Sequence, residues 1–318
     1  MSFPLIECVP NFSEGRNKNI IDQIVQSIES VPGVKVLHTD MGYDTHRTVI
    51  TYAGDKNACK EAAYRSILSA FQLIDMRVHH GAHPRLGAVD VFPFIPLRGY
   101  TMQDAIECSI DVGKRIADEF SVPVYLYNQS ALVEKRKSLA FVRKGEYEGL
   151  REKLLTSAGK PDLGPPIFHP KIGALTIGAR KILLAYNFNL NTTDTTIAKK
   201  IASALREKNG GLKSVRAIGW FIPEFKCAQV SANLIDLDQT PLHIAFEACS
   251  KLAVQFGAEV TGSELVGLIP LKSLIDTVDY YKANDFSQKE KVEKAVEILG
   301  LNNVKKFNAK EQVIEWLV

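Results

Sequence analysis

The chain has 318 residues, of which 46% are hydrophobic and 24% charged, with 39 basic against 36 acidic side chains. A chain of this size buries roughly three quarters of its unfolded surface, and the mixture is that of ordinary globular domains, which excludes disordered, collagen-like and low-complexity chains. The net charge of +3 is small and spread along the sequence, so it demands no nucleic-acid partner.

Five cysteines, Cys8, Cys59, Cys108, Cys227 and Cys249, are scattered with no C-x-x-C pair, as expected of free thiols in a reducing compartment. Met1 to Val9 lacks a basic stretch followed by a long apolar one, so no signal peptide is expected. No window approaches the ~18 apolar residues of a membrane span. The expectation is a cytoplasmic protein of two domains, without membrane or nucleic-acid partners.

Leu5 to Val9 reads as a buried strand that enters a loop at Pro10-Asn11. Asn17 to Ile28 has helical spacing of its isoleucines and valine and stops at Pro32-Gly33. Val34 to Leu37 and Thr48 to Tyr52 are strands around a polar loop from Asp40 to Arg47. A helix over Asn57 to Ile74, a strand over Val89 to Ile95, a helix over Met102 to Phe120 and a strand over Val122 to Tyr127 follow. This order, with the Asp40–Arg47 loop too short for a crossover helix, predicts an α+β, ferredoxin-like β-α-β-β-α-β unit with an additional α-β pair.

Leu139 to Gly178 is dense in proline and glycine and reads as a long connection without packed elements. The second half then repeats the first: strand Leu183 to Leu190, helix Ile197 to Glu207, hairpin Val215 to Phe221 with Ala228 to Ile235, helix Leu242 to Phe256 and strand Ser263 to Ile269. Asn187-Phe188 echoes Asn11-Phe12 at an offset of 176, and Ile269-Pro270-Leu271 echoes Ile95-Pro96-Leu97 at 174. A near-constant offset with one element order argues for duplication, with domains at 1–180 and 181–318 and a ligand cleft between halves. Lys289 to Leu299 and Ala309 to Leu317 read as terminal helices.

The densest chemistry is His79-His80-Gly81-Ala82-His83-Pro84-Arg85-Leu86-Gly87. A metal site would need further ligands at regular spacing, and none is seen, so no metal is expected. Ordinary loop histidines and a general acid–base histidine remain. His83 fits the latter best, because Gly81, Pro84 and Gly87 shape its loop and Arg85 offers an anion contact. In Asp40 to Thr48, Asp44 reads as a turn residue. Asp40 stands between turn and histidine-orienting roles, and Arg47 between a carboxylate partner and a surface cation. Lys135-Arg136-Lys137 and Arg180-Lys181 read as solvated surface. Gly164 to Gly173 reads either as a plain linker or, with Phe168 and Lys171, as a surface for a flat conjugated ligand with an acidic tail. No P-loop is present.

The chain resembles the glutamate formiminotransferase family nearly end to end. The resemblance rests on Glu7-Cys8-Val9-Pro10-Asn11-Phe12-Ser13-Glu14-Gly15, His83-Pro84-Arg85 with Gly87-Ala88-Val89-Asp90-Val91, Pro93-Phe94-Ile95-Pro96, Gly145-Glu146-Tyr147-Glu148 and Leu265-Val266-Gly267-Leu268-Ile269-Pro270-Leu271-Lys272, among other stretches. It implies duplicated ferredoxin-like subdomains whose sheets face across a ligand tunnel. It also implies transfer of a formimino group from N-formimino-L-glutamate to N5 of tetrahydrofolate in histidine breakdown by a homodimer, and leaves open a cyclodeaminase on a separate chain as a partner. The family's catalytic histidine falls on His83 and its assisting aspartate on Asp40. Its folate-binding stretch falls on Gly164, Pro165, Pro166, Ile167, Phe168, His169, Pro170, Lys171, Ile172 and Gly173, with Arg47 and Arg85 as candidates for substrate carboxylates. Departures are Ala82 where the family has glutamate, His46 where it has asparagine, and Pro165-Pro166 and His169. Ala82 keeps open a relative acting on N-formyl-L-glutamate or 5-formyltetrahydrofolate, and a non-catalytic folate-binding module is the alternative of another class.

Overall fold

The structure, a computed structural model, describes residues 3–43, 45–81, 83–281 and 286–318. Asp44 and Ala82, on which two of the sequence readings fall, lie outside the described residues. The chain divides into two compact units, Met1–Lys181 and Ile182–Val318.

The first unit runs β1 (Leu5–Cys8), β2 (Asn11–Phe12), α1 (Lys18–Glu29), β3 (Val34–Gly42), β4 (Arg47–Gly54), α2 (Lys56–Leu73), β5 (Val89–Arg98), α3 (Met102–Phe120), β6 (Val124–Asn128), α4 (Leu139–Val142), α5 (Leu150–Leu154) and β7 (Leu175–Ala179). β1 and β2 are one strand interrupted at Pro10, where proline lacks the N–H that a ladder needs. The Pro10 carbonyl still accepts from Ile50 N–H at 3.1 Å. The sheet order is β3-β4-(β1, β2)-β5-β7-β6. Its first four positions, antiparallel throughout, are the ferredoxin-like arrangement. β7 then pairs in parallel with both β5 and β6.

The caps explain where the helices begin. Asn17 accepts from the N–H groups of Asn19 and Ile20, Asp55 from those of Asn57 and Ala58, and Thr101 forms a capping box with Asp104. Ile21, Ile24 and Ile28 then fall on the buried side of α1. Alternation along β6 sorts the two faces of the sheet. Val124 and Leu126 join the large core under the helices, while Tyr125 and Tyr127 pack on the other side with Leu86, Val91, Val142, Leu150, Leu154 and Ala174.

That second cluster corrects the reading of Leu139 to Gly178 as an unpacked connection. The segment carries two short helices and a buried strand, β7, whose five residues are all inaccessible. Proline and glycine density tracks the turns between these short pieces and hides the pieces themselves. Arg136 corrects the reading of its basic run as solvated surface: it is buried, ion-paired with Asp162, and lies 5.2 Å over the Tyr125 ring. Its acceptor is 26 residues away, beyond any local pattern. The polar loop expected from Asp40 is also shorter, because β3 continues through Asp40 to Gly42.

The second unit runs β8 (Leu184–Leu190), α6 (Thr195–Leu205), β9 (Val215–Ile222), β10 (Cys227–Leu234), α7 (Leu242–Gln255), β11 (Val260–Val266), α8 (Leu271–Tyr280), α9 (Gln288–Ile298), α10 (Ala309–Gln312) and α11 (Ile314–Leu317). Its antiparallel sheet has the order β11-β8-β10-β9, the same ferredoxin-like sequence of positions. The duplication inferred from the offset is therefore a duplication of topology. One echo diverges in shape: Ile95-Pro96-Leu97 continues β5, whereas Pro270 caps α8, a helix the sequence reading passes over. Among the described residues no helix is long and apolar enough to cross a membrane.

Truncating the inserted strand tests the packing. Ile177 is fully buried in the helix-side core, so Ile177→Ala is expected to destabilise by about 2–5 kcal/mol, read as a lower urea midpoint by far-ultraviolet circular dichroism.

Candidate active site

The site is built on the face of the first sheet that points away from α1, α2 and α3. Ile50 and Tyr52 of β4 belong to the helix-side core, so Arg47 and Val49 face the other way. Asp40 pairs with Val49 across β3 and β4, and Asn11 pairs with Val49 on the opposite side, which puts both on that same face. On β5, Asn11 is opposite Val91 and Phe12 opposite Val89. Asp90 is thus the extra residue of a β-bulge, which turns a strand residue toward a functional surface.

Asp90 is fully buried, and it is satisfied. Its carboxylate forms an ion pair with Arg143, through Nε at 3.1 Å and through Nη2, and accepts the N–H of Leu86 at 3.1 Å. It thereby fastens the loop that carries His83 to the segment after α4. Gly87 and Gly173 form a bridge at the base of the same loop. A Cβ on Gly87 would strike the carbonyls of Ala174 and Ile172, so the close approach requires glycine.

His83 meets two partners. Its Nδ1 lies 2.6 Å from the Pro84 carbonyl, and its Nε2 lies 2.6 Å from Nη1 of Arg47, which is 3.3 Å from Nδ1. A carbonyl only accepts and a guanidinium only donates. The Pro84 carbonyl therefore assigns the proton to Nδ1 and leaves Nε2 bare, and Nη1 of Arg47, within reach of both nitrogens, lies over the ring beside Nε2. Electrostatics agree. Burial, then the charges of Arg47 and Arg143, push the His83 imidazole down to about 4, against the opposing pull of Asp90 and the Pro84 carbonyl. Burial likewise lowers Arg47 to about 10. Asp40 is exposed, and its charge favours the charged form of Arg47. The structure thus brings His83 and Arg47 together, with Asp40 on the same face of the sheet.

Arg85 occupies a different place. It is buried, donates to both carboxylate oxygens of Glu148 at 2.7 and 2.6 Å, and pairs with Glu146 at 3.3 Å. Its Nε donates to His79 Nδ1 at 3.2 Å. Its guanidinium is committed to protein groups. His79 in turn donates from Nε2 to the His46 carbonyl at 2.8 Å, so it is neutral, and burial first, then the charges of His46 and Arg85, lower its pKa. His46 stacks on His79 with ring centroids 4.2 Å apart. Both His46 nitrogens face acceptors, the His80 carbonyl at 3.0 Å and Glu14 Oε1 at 3.2 Å. Burial opposes the ionisation of Glu14, but the N–H groups of Asn17 and Arg16 together with His46 outweigh it and hold its pKa below the usual range. A cleft of about 340 Å³ is lined by His80, Gly81, Arg85, Gly145, Glu146 and Glu148. Neither His83 nor Arg47 lines it.

Gly164 to Gly173 folds against this loop. Gly164 takes φ +76°, and a Cβ there would meet the Val122 carbonyl. Pro165 is half-buried, and Pro166 and Ile167 are exposed. Phe168 packs on Tyr147 at 5.5 Å beneath the Arg151 guanidinium at 4.7 Å. His169 accepts from Ile172 N–H, and the Pro170 carbonyl accepts from Tyr147 Oη at 2.5 Å. Lys171 donates to the Gln72 carbonyl at 2.7 Å, which anchors the stretch to the end of α2. Asp90, Arg143 and the His46–His79 stack are the contributors that sequence reasoning misses. Among the described residues no group of three or more His, Cys, Asp or Glu is placed to hold a metal ion.

Two outcomes follow from the charges. The folded pKa of His83 lies below the ordinary value of about 6.5, so between the two the unfolded chain binds more protons. This contribution to stability is complete above about 6.5 and is lost as pH falls toward about 4. The His83 ring resonance should titrate near 4 by NMR, and Arg47→Gln should move it upward by removing the facing cation. Asp90→Asn leaves Arg143 without its counter-ion and is expected to cost about 3–5 kcal/mol in denaturant unfolding.

Residues 5–180 match the family model of the formiminotransferase domain, N-terminal subdomain, and residues 185–318 that of the formiminotransferase domain. The chain is 46% identical over 324 residues to formimidoyltransferase-cyclodeaminase of Sus scrofa, covering 99% of this chain and 60% of that protein. It therefore spans about 60% of the length of the bifunctional relatives it matches. It is 42% identical to glutamate formimidoyltransferase of Streptococcus pyogenes serotype M1, covering 91% of this chain and 97% of that one, and 42% identical to that of Thermoplasma acidophilum, covering 92% and 97%. Matches of this extent over both ferredoxin-like halves place the chain in the formiminotransferase domain family.

Proposed function

We propose that the protein is a glutamate formimidoyltransferase that moves the formimino group of N-formimino-L-glutamate to N5 of tetrahydrofolate, releasing L-glutamate, in histidine breakdown in the cytoplasm. The observation that carries the reading is the neutral His83, its bare Nε2 beside a cation on the sheet face that points away from the helices. Two relatives matched over 97% of their length carry the name glutamate formimidoyltransferase, which supports transfer of a formimidoyl group and the glutamate part of the donor.

In this reading N5 attacks the formimino carbon and forms the new C–N bond. The proton that N5 sheds passes to Nε2 of His83. His83 then delivers it to the glutamate nitrogen as the old C–N bond breaks and L-glutamate leaves. General acid–base help of this kind is worth roughly 100- to 10,000-fold, and holding both substrates at one face supplies proximity.

Arg47 gives the step its order. Arg47 lies against the His83 ring, and its charge disfavours protonation. A substrate carboxylate offers the guanidinium a stronger, bidentate acceptor. Once Arg47 turns to it, the imidazole becomes more basic. Asp40, on the same face, steadies the imidazolium or the displaced guanidinium. Arg85 and Lys171, both committed to protein acceptors, are less suited to substrate carboxylates than Arg47. The stretch from Gly164 to Gly173 serves the folate, with Phe168 and Tyr147 as its aromatic surface.

The test is turnover of tetrahydrofolate with N-formimino-L-glutamate, followed by acid conversion of the product to the methenyl chromophore. His83→Asn should lower kcat by at least ~100-fold with folate affinity nearly unchanged; wild-type turnover in that variant defeats the role. Arg47→Gln should raise the KM for N-formimino-L-glutamate and leave that for tetrahydrofolate within a few-fold. Turnover on N-formyl-L-glutamate in place of the formimino donor would reassign the substrate.

A further inference from the structure

Arg143 is held in place by Asp90, which uses only part of it. The carboxylate takes one edge of the guanidinium, Nε and Nη2. The end edge, Nη1 with the second hydrogen of Nη2, is left over, because an arginine carries five N–H donors in a fixed fork. Among the described residues nothing accepts from Nη1, and Nη1 is not enclosed as the unpartnered Nε of Arg206 is. The Arg143 side chain is 15% exposed, so this edge opens to solvent. Arg47 is in the same condition. Its Nη1 lies against His83, while its Nε and Nη2 have no partner among the described residues and are not enclosed either.

The register places the two cations on either side of one strand. Phe12 of β2 is across from Thr48 on β4 and from Val89 on β5, and Asn11 is across from Val49 and Val91. Arg47 and Asp90, the partner of Arg143, therefore flank β2 at one level, roughly 10 Å apart at two strand spacings. His83 touches Arg47, and its loop is fastened to Asp90 through the Leu86 N–H. After burial, the charges that act on its ring are those of Arg47, Arg143 and Asp90. Two cations thus share one buried carboxylate. Asp40, the other acid acting on Arg47, is exposed and screened by water. One positive charge is left uncompensated in a half-buried place, and an anionic ligand balances it.

We infer that Arg143 is a specificity-determining residue for the donor: its free edge takes the side-chain carboxylate of the glutamyl group, while Arg47 takes the α-carboxylate. The inference rests on the proposed transfer reaction. The α-carboxylate is attached to the carbon that bears the reacting nitrogen, so it belongs with the cation that touches His83. The side-chain carboxylate lies farther off, toward β5, where Asp90 has already fixed the orientation of Arg143. A carboxylate accepts two parallel N–H bonds from the end of a guanidinium. A carboxamide has one oxygen to offer and turns an NH2 group toward the other donor. The pair of arginines therefore selects a donor with two carboxylates over a donor with one.

Calorimetric titration of the full chain, with and without saturating tetrahydrofolate, tests the assignment. The probes are N-acetyl-L-glutamate and N-acetyl-L-glutamine, unreactive analogues that differ only at the side-chain carboxylate. The wild type should bind the first ~10- to 100-fold more tightly, the range for hydrogen bonds to charged groups. Arg143→Lys keeps a charge opposite Asp90 but lacks the fork, and should cut that preference ~10-fold or more. A second variant, Asp90→Asn with Arg143→Gln, removes the buried charges together and should do the same. Arg47→Gln should weaken both analogues alike and keep the preference. A purely structural Arg143 also weakens both alike, so the ratio of the two affinities is the readout. Equal affinity in the wild type, no binding of either analogue, or a preference that survives Arg143→Lys overturns the inference even where the enzyme turns over. A preference lost in Arg47→Gln instead also overturns it. Preference for the glutamate analogue without any formimino transfer supports the carboxylate site on Arg143 and defeats the transferase reading.

Discussion

One buried carboxylate sets the geometry of the first unit. Asp90 is expelled from the regular ladder by a bulge and lies fully inside the protein, where an unpaired charge is not tolerated. Its demands are met by two groups that belong to two different loops: the guanidinium of Arg143 and the backbone N–H of Leu86. Satisfying one carboxylate therefore fixes the His83 loop relative to β5 and fixes the segment after α4 relative to both. The same charge offsets part of the field of Arg47 and Arg143 at His83. Position and protonation of the proposed base thus share one source.

The opposite end of that loop is held by a column of ring and guanidinium groups. Glu14 holds His46, His46 stacks on His79, His79 accepts from Arg85, and Arg85 is closed off by Glu148. Each donor in the column meets an acceptor, so its buried members carry no unsatisfied proton. Arg85 is built into this support, which accounts for its burial better than contact with a ligand would. Tyr147 adds a strut, since its N–H donates to the Arg85 carbonyl and its hydroxyl to that of Pro170. Preorganisation of this kind keeps the reactive group in place without cost at the moment of reaction.

The fold was largely legible because it rests on local signals. Asn17, Asp55 and Thr101 mark helix starts, and alternation along β4, β8 and β10 marks strands. The duplication showed through the repeated Asn-Phe. What escaped depends on distant partners. Asp90 sits in Val-Asp-Val, an alternation that reads as a solvent-facing carboxylate, and only Arg143, 53 residues on, explains its burial. Arg136 is hidden in the same way by Asp162. β7 is short and has Gly178 within it, and its parallel pairing leaves no turn signal. At the site, His83 and Arg47 could be named as candidates from residue type and loop shape. Their direct contact could not, because it joins a loop to the first residue of a strand 36 positions earlier.

Gln229 on β10 stands where Arg47 stands on β4, two residues before the residue paired with the Asn of the repeated Asn-Phe, and the Trp220 indole N–H donates to its Oε1 at 2.8 Å. This match carries a consequence for how such a protein can diversify. Two identical halves associating as separate chains must present the same side chain at both places. A cation in one then means a cation in the other, and every substitution is made twice. Joined in a single polypeptide, the copies are free of that symmetry. One can hold a charged position that answers to the charge of a substrate, while the other replaces it with a neutral amide whose bonding direction is fixed by an indole. Covalent linkage of the repeats turns one ancestral surface into two surfaces that can be selected separately.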